Sequence, residues 1–170
     1  RTSERYDTYY INDINDIKQI PPTSGESKYL GDGIYVSNDI NVSKKYSDKN
    51  GFLYQVVLNT PLKSLPYKND ISNTDVINII KTLNESDIYE HNYISENLQD
   101  IIDDNETISG KSFIEMLERE KLNVNDILIL VGYNSISCKI NIINSFIDFP
   151  DLSLNINIID NNIIDKIIKL

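Results

Sequence analysis

A chain of 170 residues, 40% hydrophobic and 25% charged, has the size and balance of one folded domain built round a single core. No apolar run reaches the ~20 residues of a membrane span. A net charge of −10 with only three arginines excludes a nucleic-acid backbone as the expected partner, because phosphate binding needs clustered Lys and Arg.

The first stretch, Arg5 to Tyr10, is rich in strand formers, and Ile11, Ile14 and Ile17 then share one helical face, which predicts strand followed by helix. Residues 18–30 run through Pro21-Pro22-Thr23-Ser24-Gly25 and read as a surface connection. Gly31-Asp32-Gly33 then feeds the alternating run Ile34-Tyr35-Val36-Ser37, a tight loop and a short strand with Tyr35 opposite Ile34 and Val36. Asn38 and Asp39 are placed to cap a short helix through Val42 and Tyr46. Lys49-Asn50-Gly51 turns the chain into a second strand over residues 52–58.

From Thr60 the pattern becomes helical. Asn73-Thr74-Asp75 opens a helix with Val76, Ile79, Ile80 and Leu83 on one face, and Ile94, Leu98, Ile101 and Ile102 mark a second. His91, the one histidine, lies among Tyr89, Glu90 and Tyr93 between those stripes and reads as a surface or loop residue rather than a general base. The acidic residues 100–104 lack the spacing of a calcium loop and read as a solvated helix end, so no metal is expected. Gly110-Lys111-Ser112 has Asn105 where a phosphate-binding loop has its first glycine and no strand before it, which rejects that motif. Phe113 with Leu117, and Val124, Leu128 and Val131, are core pairs of further helices, the last stopping at Gly132. The tail alternates Leu154-Asn155-Ile156-Asn157-Ile158 before Ile159-Asp160, and Ile163, Ile164, Ile167 and Ile168 follow.

The chain has no alanine and no tryptophan while Ile, Asn, Asp, Lys and Tyr abound, the mark of an AT-rich coding bias that lowers the information in any single Asn or Ile. A lone cysteine, Cys138, has no internal disulfide partner and is expected to be a buried small hydrophobe in a soluble protein of a reducing compartment such as cytoplasm. A start at Arg1 without a basic-then-apolar leader is expected of a piece of a longer protein.

The central segment resembles the ADP-ribosyltransferase superfamily, in its branch that includes the poly-ADP-ribose polymerases. Gly31, Gly33, Ile34 and Tyr35 match its Gly-x-Gly-Ile/Val-Tyr strand. Lys45 and Tyr46 match the following short helix, and Leu53, Tyr54, Val56 and Leu58 the next strand. Ser109 to Leu117 and Leu128 to Ile136 are similar to segments of the ADP-ribosyltransferase-like domains of phage and mobile-element polyproteins. Residues 154–160 resemble the closing Asn-Glu-Tyr-Val-Val-Phe-Asp strand.

The resemblance implies an α+β fold over residues 1–170: split antiparallel β-sheets around an NAD cleft, with residues 66–131 as a mostly helical insertion. It implies that Gly31, Gly33, Tyr35 and Tyr46 bind NAD as substrate. Asp7 stands where the family has its ribose-gripping His, and Thr8 stands where it has Gly. Asn155 stands at the catalytic Glu, with Glu4, Asp151 and Asp160 the nearest carboxylates. For Asp7, a ligand role and a turn or capping role remain equal readings. Arg5 corresponds either to the arginine of the cholera-toxin-like branch or to a solvated edge residue. The implied activity is transfer of ADP-ribose from NAD to a macromolecular acceptor, expected to be a protein, by an effector or toxin-like domain. The alternatives are a binding module on the same fold that has lost the chemistry, and a structural domain of a polyprotein without a ligand.

Overall fold

The computed structural model of the chain describes residues 30, 33–40, 44, 53–86, 88–139 and 154–170. Three short strands come first: β1 (Ile34–Ser37), β2 (Tyr54–Leu58) and β3 (Ser64–Pro66). Four helices follow, α1 (Asn73–Glu85), α2 (Tyr89–Asp103), α3 (Gly110–Arg119) and α4 (Val124–Leu130). The chain then returns through β4 (Ser135–Lys139), β5 (Leu154–Ile158) and β6 (Ile164–Lys169). The fold is mixed α+β, with these four helices and two sheets.

Helices α1, α3 and α4 begin where the sequence supplies a side-chain oxygen for the orphan N–H groups of a first turn, while α2 starts after Ile88 with no side-chain cap. Ser72 caps α1, its Oγ accepting from Asp75 N at 3.2 Å and donating to Asp75 Oδ2 at 2.8 Å. Ser109 caps α3 and Asn123 caps α4 in the same way. Val76, Ile79, Ile80 and Leu83 of α1 are buried, as their i, i+3, i+4, i+7 spacing dictates, and Phe113, Leu117 and Leu128 fill the middle of the same core. Gly110 opens α3 against β3: a Cβ there would lie 2.9 Å from the carbonyl carbon of Pro66, closer than packed atoms come.

The larger sheet has the strand order β1-β5-β4-β3, and β2 pairs with β6 in a separate two-stranded sheet. The expectation that both sheets are antiparallel needs correction, because β3 and β4 run parallel. Four helices connect them and bring the chain back to the end where it started, and a parallel pair requires such a crossover. Pro66 fits there because β3 is the outer strand of the sheet.

Alternation along the strands separates two cores. Leu65, Ile136 and Cys138 point into the helical core, which also holds Leu30 and against which Tyr35 packs. Ile34, Val36, Ile156 and Ile158 face the other way and pack with Val56, Leu58, Ile164 and Ile167 of the small sheet. The four-stranded sheet is thus a middle layer, with helices on one face and β2–β6 on the other. Cys138 is buried as expected.

His91 departs from its expected surface or loop position. It is 6% exposed, lies within the first turn of α2, and places Nδ1 2.6 Å from Ser86 Oγ. The single hydroxyl proton of Ser86 goes to Leu83 O at 2.6 Å, so His91 Nδ1 donates to Ser86. The imidazole closes the α1–α2 turn by bonding five residues back, a pairing that depends on how the two helices are joined and that composition does not reveal. Beside it Ser95 donates to Asn84 across the same helix pair.

Asn134 joins the layers. Its Oδ1 accepts from Lys63 N at 2.8 Å, its Nδ2 donates to Pro61 O at 3.0 Å, and its carbonyl accepts from Ile159 N at 3.1 Å. One asparagine therefore fixes the approach to β3 against the exit from β5.

Candidate functional site

The segments singled out at the two ends of the sequence meet in the middle layer. Strands β1 and β5 pair antiparallel, with Tyr35 opposite Asn157 and Ser37 opposite Asn155. On its other side β5 pairs with β4, which sets Asn157 beside Ile136 and Asn155 beside Cys138. More than a hundred residues separate Tyr35 from Asn155 in sequence; in the sheet they occupy adjacent strands, two register positions apart. Asp7, Thr8, Gly31 and Tyr46 lie outside the described residues, as do Glu4 and Asp151.

Around Tyr35 the geometry is specific. Its ring is half-buried against the helical core, and its Oη accepts a hydrogen bond from Leu30 N at 3.1 Å. The carbonyl of the same residue, Leu30 O, accepts from Asn157 Nδ2 at 2.9 Å. Leu30 and Asn157 are 1% and 0% exposed, so both hydrogen bonds are made out of water, where an unmade one is most costly. Gly33 completes the group. A Cβ on it would fall on Asn157 Oδ1 and within 2.5 Å of Ile158 O, so the chain passes here only as glycine.

Glycine at 33 was legible as a loop residue, but its partner was not. Leu30 and Asn157 are the site residues that sequence reasoning missed. The run Leu154–Ile158 alternates apolar even positions with Asn155 and Asn157, which reads as a strand with one solvated face, whereas Asn157 is fully buried, where an amide is expensive unless it is hydrogen-bonded. The abundance of Asn in the chain gave no reason to single it out.

Asp160, the carboxylate nearest to Asn155 in sequence among the described residues, is engaged elsewhere. Its Oδ1 accepts from Asn162 N at 3.0 Å and caps the single 3-10 turn between β5 and β6. Gly33, packed against Asn157 and Ile158 O, thus lies beside a half-buried aromatic ring. The phenol oxygen of that ring is already engaged with Leu30, which leaves the ring itself as the contact surface. A recess of ≈ 200 Å³ between residues 66–69 and 137–139 lies at the end of the parallel pair and includes none of the sequence-predicted site residues.

Among the described residues no group of three or more His, Cys, Asp or Glu is placed to hold a metal ion, and no helix is long and apolar enough to cross a membrane. Comparison with known protein families, with curated proteins and with solved structures returns no match to this chain.

Proposed function

We propose that this chain is an ADP-ribosyltransferase-like domain that cleaves NAD and passes ADP-ribose to a macromolecular acceptor, as an effector or toxin-like module. One observation carries the reading. The strand with the Gly-x-Gly-Ile-Tyr pattern lies directly beside the strand that resembles the family's catalytic strand, in a register that brings Tyr35 and Asn155 into one neighbourhood. The arrangement of one larger and one two-stranded sheet supports the same reading.

In the reaction, the bond between nicotinamide N1 and ribose C1′ breaks and nicotinamide departs with the electron pair. A nucleophile of the acceptor then bonds to C1′ and releases its proton. Gly33 and Tyr35 bear on nicotinamide placement, a ring-on-ring contact contributing on the order of 1 kcal/mol beyond buried area. Asn155 holds the position from which positive charge developing on the ribose is stabilised. A neutral amide does this less well than a carboxylate, and loss of one such group commonly costs ~10² to 10³ in rate.

That deficit favours a second reading, a module that binds NAD or an ADP-ribosylated group without turnover. Release of nicotinamide from NAD, measured beside binding by calorimetry, separates the two. The transferase reading expects slow turnover that falls in Asn155→Ala and rises by about 10² or more in Asn155→Glu. Binding without turnover in either form assigns the chain to the second reading. Absence of both binding and turnover overturns the NAD assignment.

A further inference from the structure

The resemblance assigns no role to Asn157 or Leu30, yet they form the most fully enclosed polar arrangement beside Tyr35. From the geometry we infer that Tyr35 and Asn157 act as a two-point clamp on Leu30, making Asn157 a positioning residue of the proposed NAD site. The role at that site rests on the transferase-like reading; the clamp itself does not.

Three observations converge. First, the two hydrogen bonds take both backbone groups of one residue: Tyr35 Oη accepts Leu30 N–H, and Asn157 Nδ2 donates to Leu30 C=O. A residue held at both its N–H and its C=O has its peptide planes fixed on either side, not merely its position. Second, Tyr35 and Asn157 are register partners on adjacent strands, so a regular antiparallel pair dictates the spacing of the two anchors. Third, Gly33 has no side chain where Asn157 Oδ1 sits, so the amide reaches the Leu30 carbonyl through one end and the Gly33 backbone with the other.

An apolar residue at 157 would spare the burial of an amide but leave the buried Leu30 C=O without its donor, so the amide both satisfies that carbonyl and fixes its geometry. Leu30 precedes Gly33 by three residues and Tyr35 by five, the two described residues that the proposed function assigns to nicotinamide. Asn157 acts through Leu30 and Tyr35 and is not itself a catalytic residue.

The test uses amide hydrogen exchange and NAD calorimetry on the whole chain. Tyr35→Phe removes the accepting oxygen while keeping the ring, and Asn157→Ala removes the donor. Val76→Ala, in α1 and remote from the site, serves as a control of reduced stability. The expected result is that exchange of the Leu30 amide speeds up about tenfold or more in both clamp variants, the effect of losing one buried hydrogen bond, while amides in α2 are unchanged. NAD affinity is expected to fall by a similar factor in both, and not in the control. Because the clamp is one unit, Tyr35→Phe/Asn157→Ala should be little worse than the worse single variant. Unchanged Leu30 exchange in both variants overturns the clamp. Faster exchange with NAD affinity equal to that of the control overturns the positioning role. A wild-type chain that binds no NAD overturns the proposed function, and the exchange measurement by itself then decides the clamp.

Discussion

Gly33→Ala adds one methyl group at the most closely packed backbone position of the candidate site. That methyl has nowhere to go: Asn157 Oδ1 occupies its place and Ile158 O stands within 2.5 Å. Asn157 is fully buried, with Tyr35 and Ile136 beside it in the sheet, so it moves only by giving up its hydrogen bond to Leu30 O. Forcing a methyl into a packed interior costs about 1–3 kcal/mol. Leaving a buried carbonyl without its donor costs about 1–3 kcal/mol. Since displacement of the amide relieves part of the overpacking, the two do not add in full, and a loss of about 2–4 kcal/mol is expected. Against a typical domain stability of ~5–15 kcal/mol the variant still folds. Urea unfolding followed by far-UV circular dichroism is the suitable assay, the chain having no tryptophan to report by fluorescence. The double variant Gly33→Ala/Asn157→Ala tests the cause, because truncating the amide removes the side-chain half of the clash and leaves only that with Ile158 O. It should lose less than the sum of the single variants by roughly 1 kcal/mol or more. A loss below about 0.5 kcal/mol in Gly33→Ala, or strict additivity in the double variant, refutes the packing argument.

Other positions give independent checks. Tyr133 is 3% exposed and its hydroxyl has no hydrogen-bond partner among the described residues, so Tyr133→Phe is expected to leave the melting temperature unchanged or raise it, where a typical buried tyrosine would lose about 1 kcal/mol. Burial, with Asp75 adding to it, pushes the Tyr133 phenol up to about 12. Between pH 10 and 12 the unfolded chain therefore sheds a proton that the folded chain keeps, so stability falls as pH rises through that window, and Tyr133→Phe should flatten that part of the profile. Asn134→Ala, which loses bonds to Lys63 N and Pro61 O, should destabilise by about 1–2 kcal/mol in a urea titration. Ser72→Ala should cost about 1 kcal/mol through loss of the α1 cap, with Ser72→Asn, which keeps an accepting oxygen and brings no charge against Asp75, close to neutral in the same measurement.

The helices were the most legible part of the chain. Val76, Ile79, Ile80 and Leu83 announce one face by spacing alone, and the residues that cap α1, α3 and α4 stand directly before each first turn. The strand at Tyr35 was legible for the same reason, a local alternation between two punctuating segments. What local pattern does not carry is partnership. β3 is three residues long and ends in proline, so it carries no strand signal and exists because β4 lies alongside it. His91 is inside because Ser86 receives its proton, a requirement set by the α1–α2 turn rather than by its neighbours in sequence. Asn157 belongs with these: its meaning lies in Leu30 and Gly33, both more than a hundred residues away.

The order of strand pairing also bears on how the molecule is made. Among the described residues β1 is paired only with β5, and β2 only with β6. The early strands must therefore wait, as synthesis proceeds, for partners encoded over a hundred residues later, while α1 and α2 pack on each other through contacts local in sequence. Loop closure over such distances is slow compared with helix pairing, and domains assemble as their last elements emerge. The neighbourhood of Tyr35 and Asn155 thus does not exist on the ribosome until residue 158 is free to reach β1. If the domain consumes NAD, that activity cannot begin before residue 158 has left the ribosome.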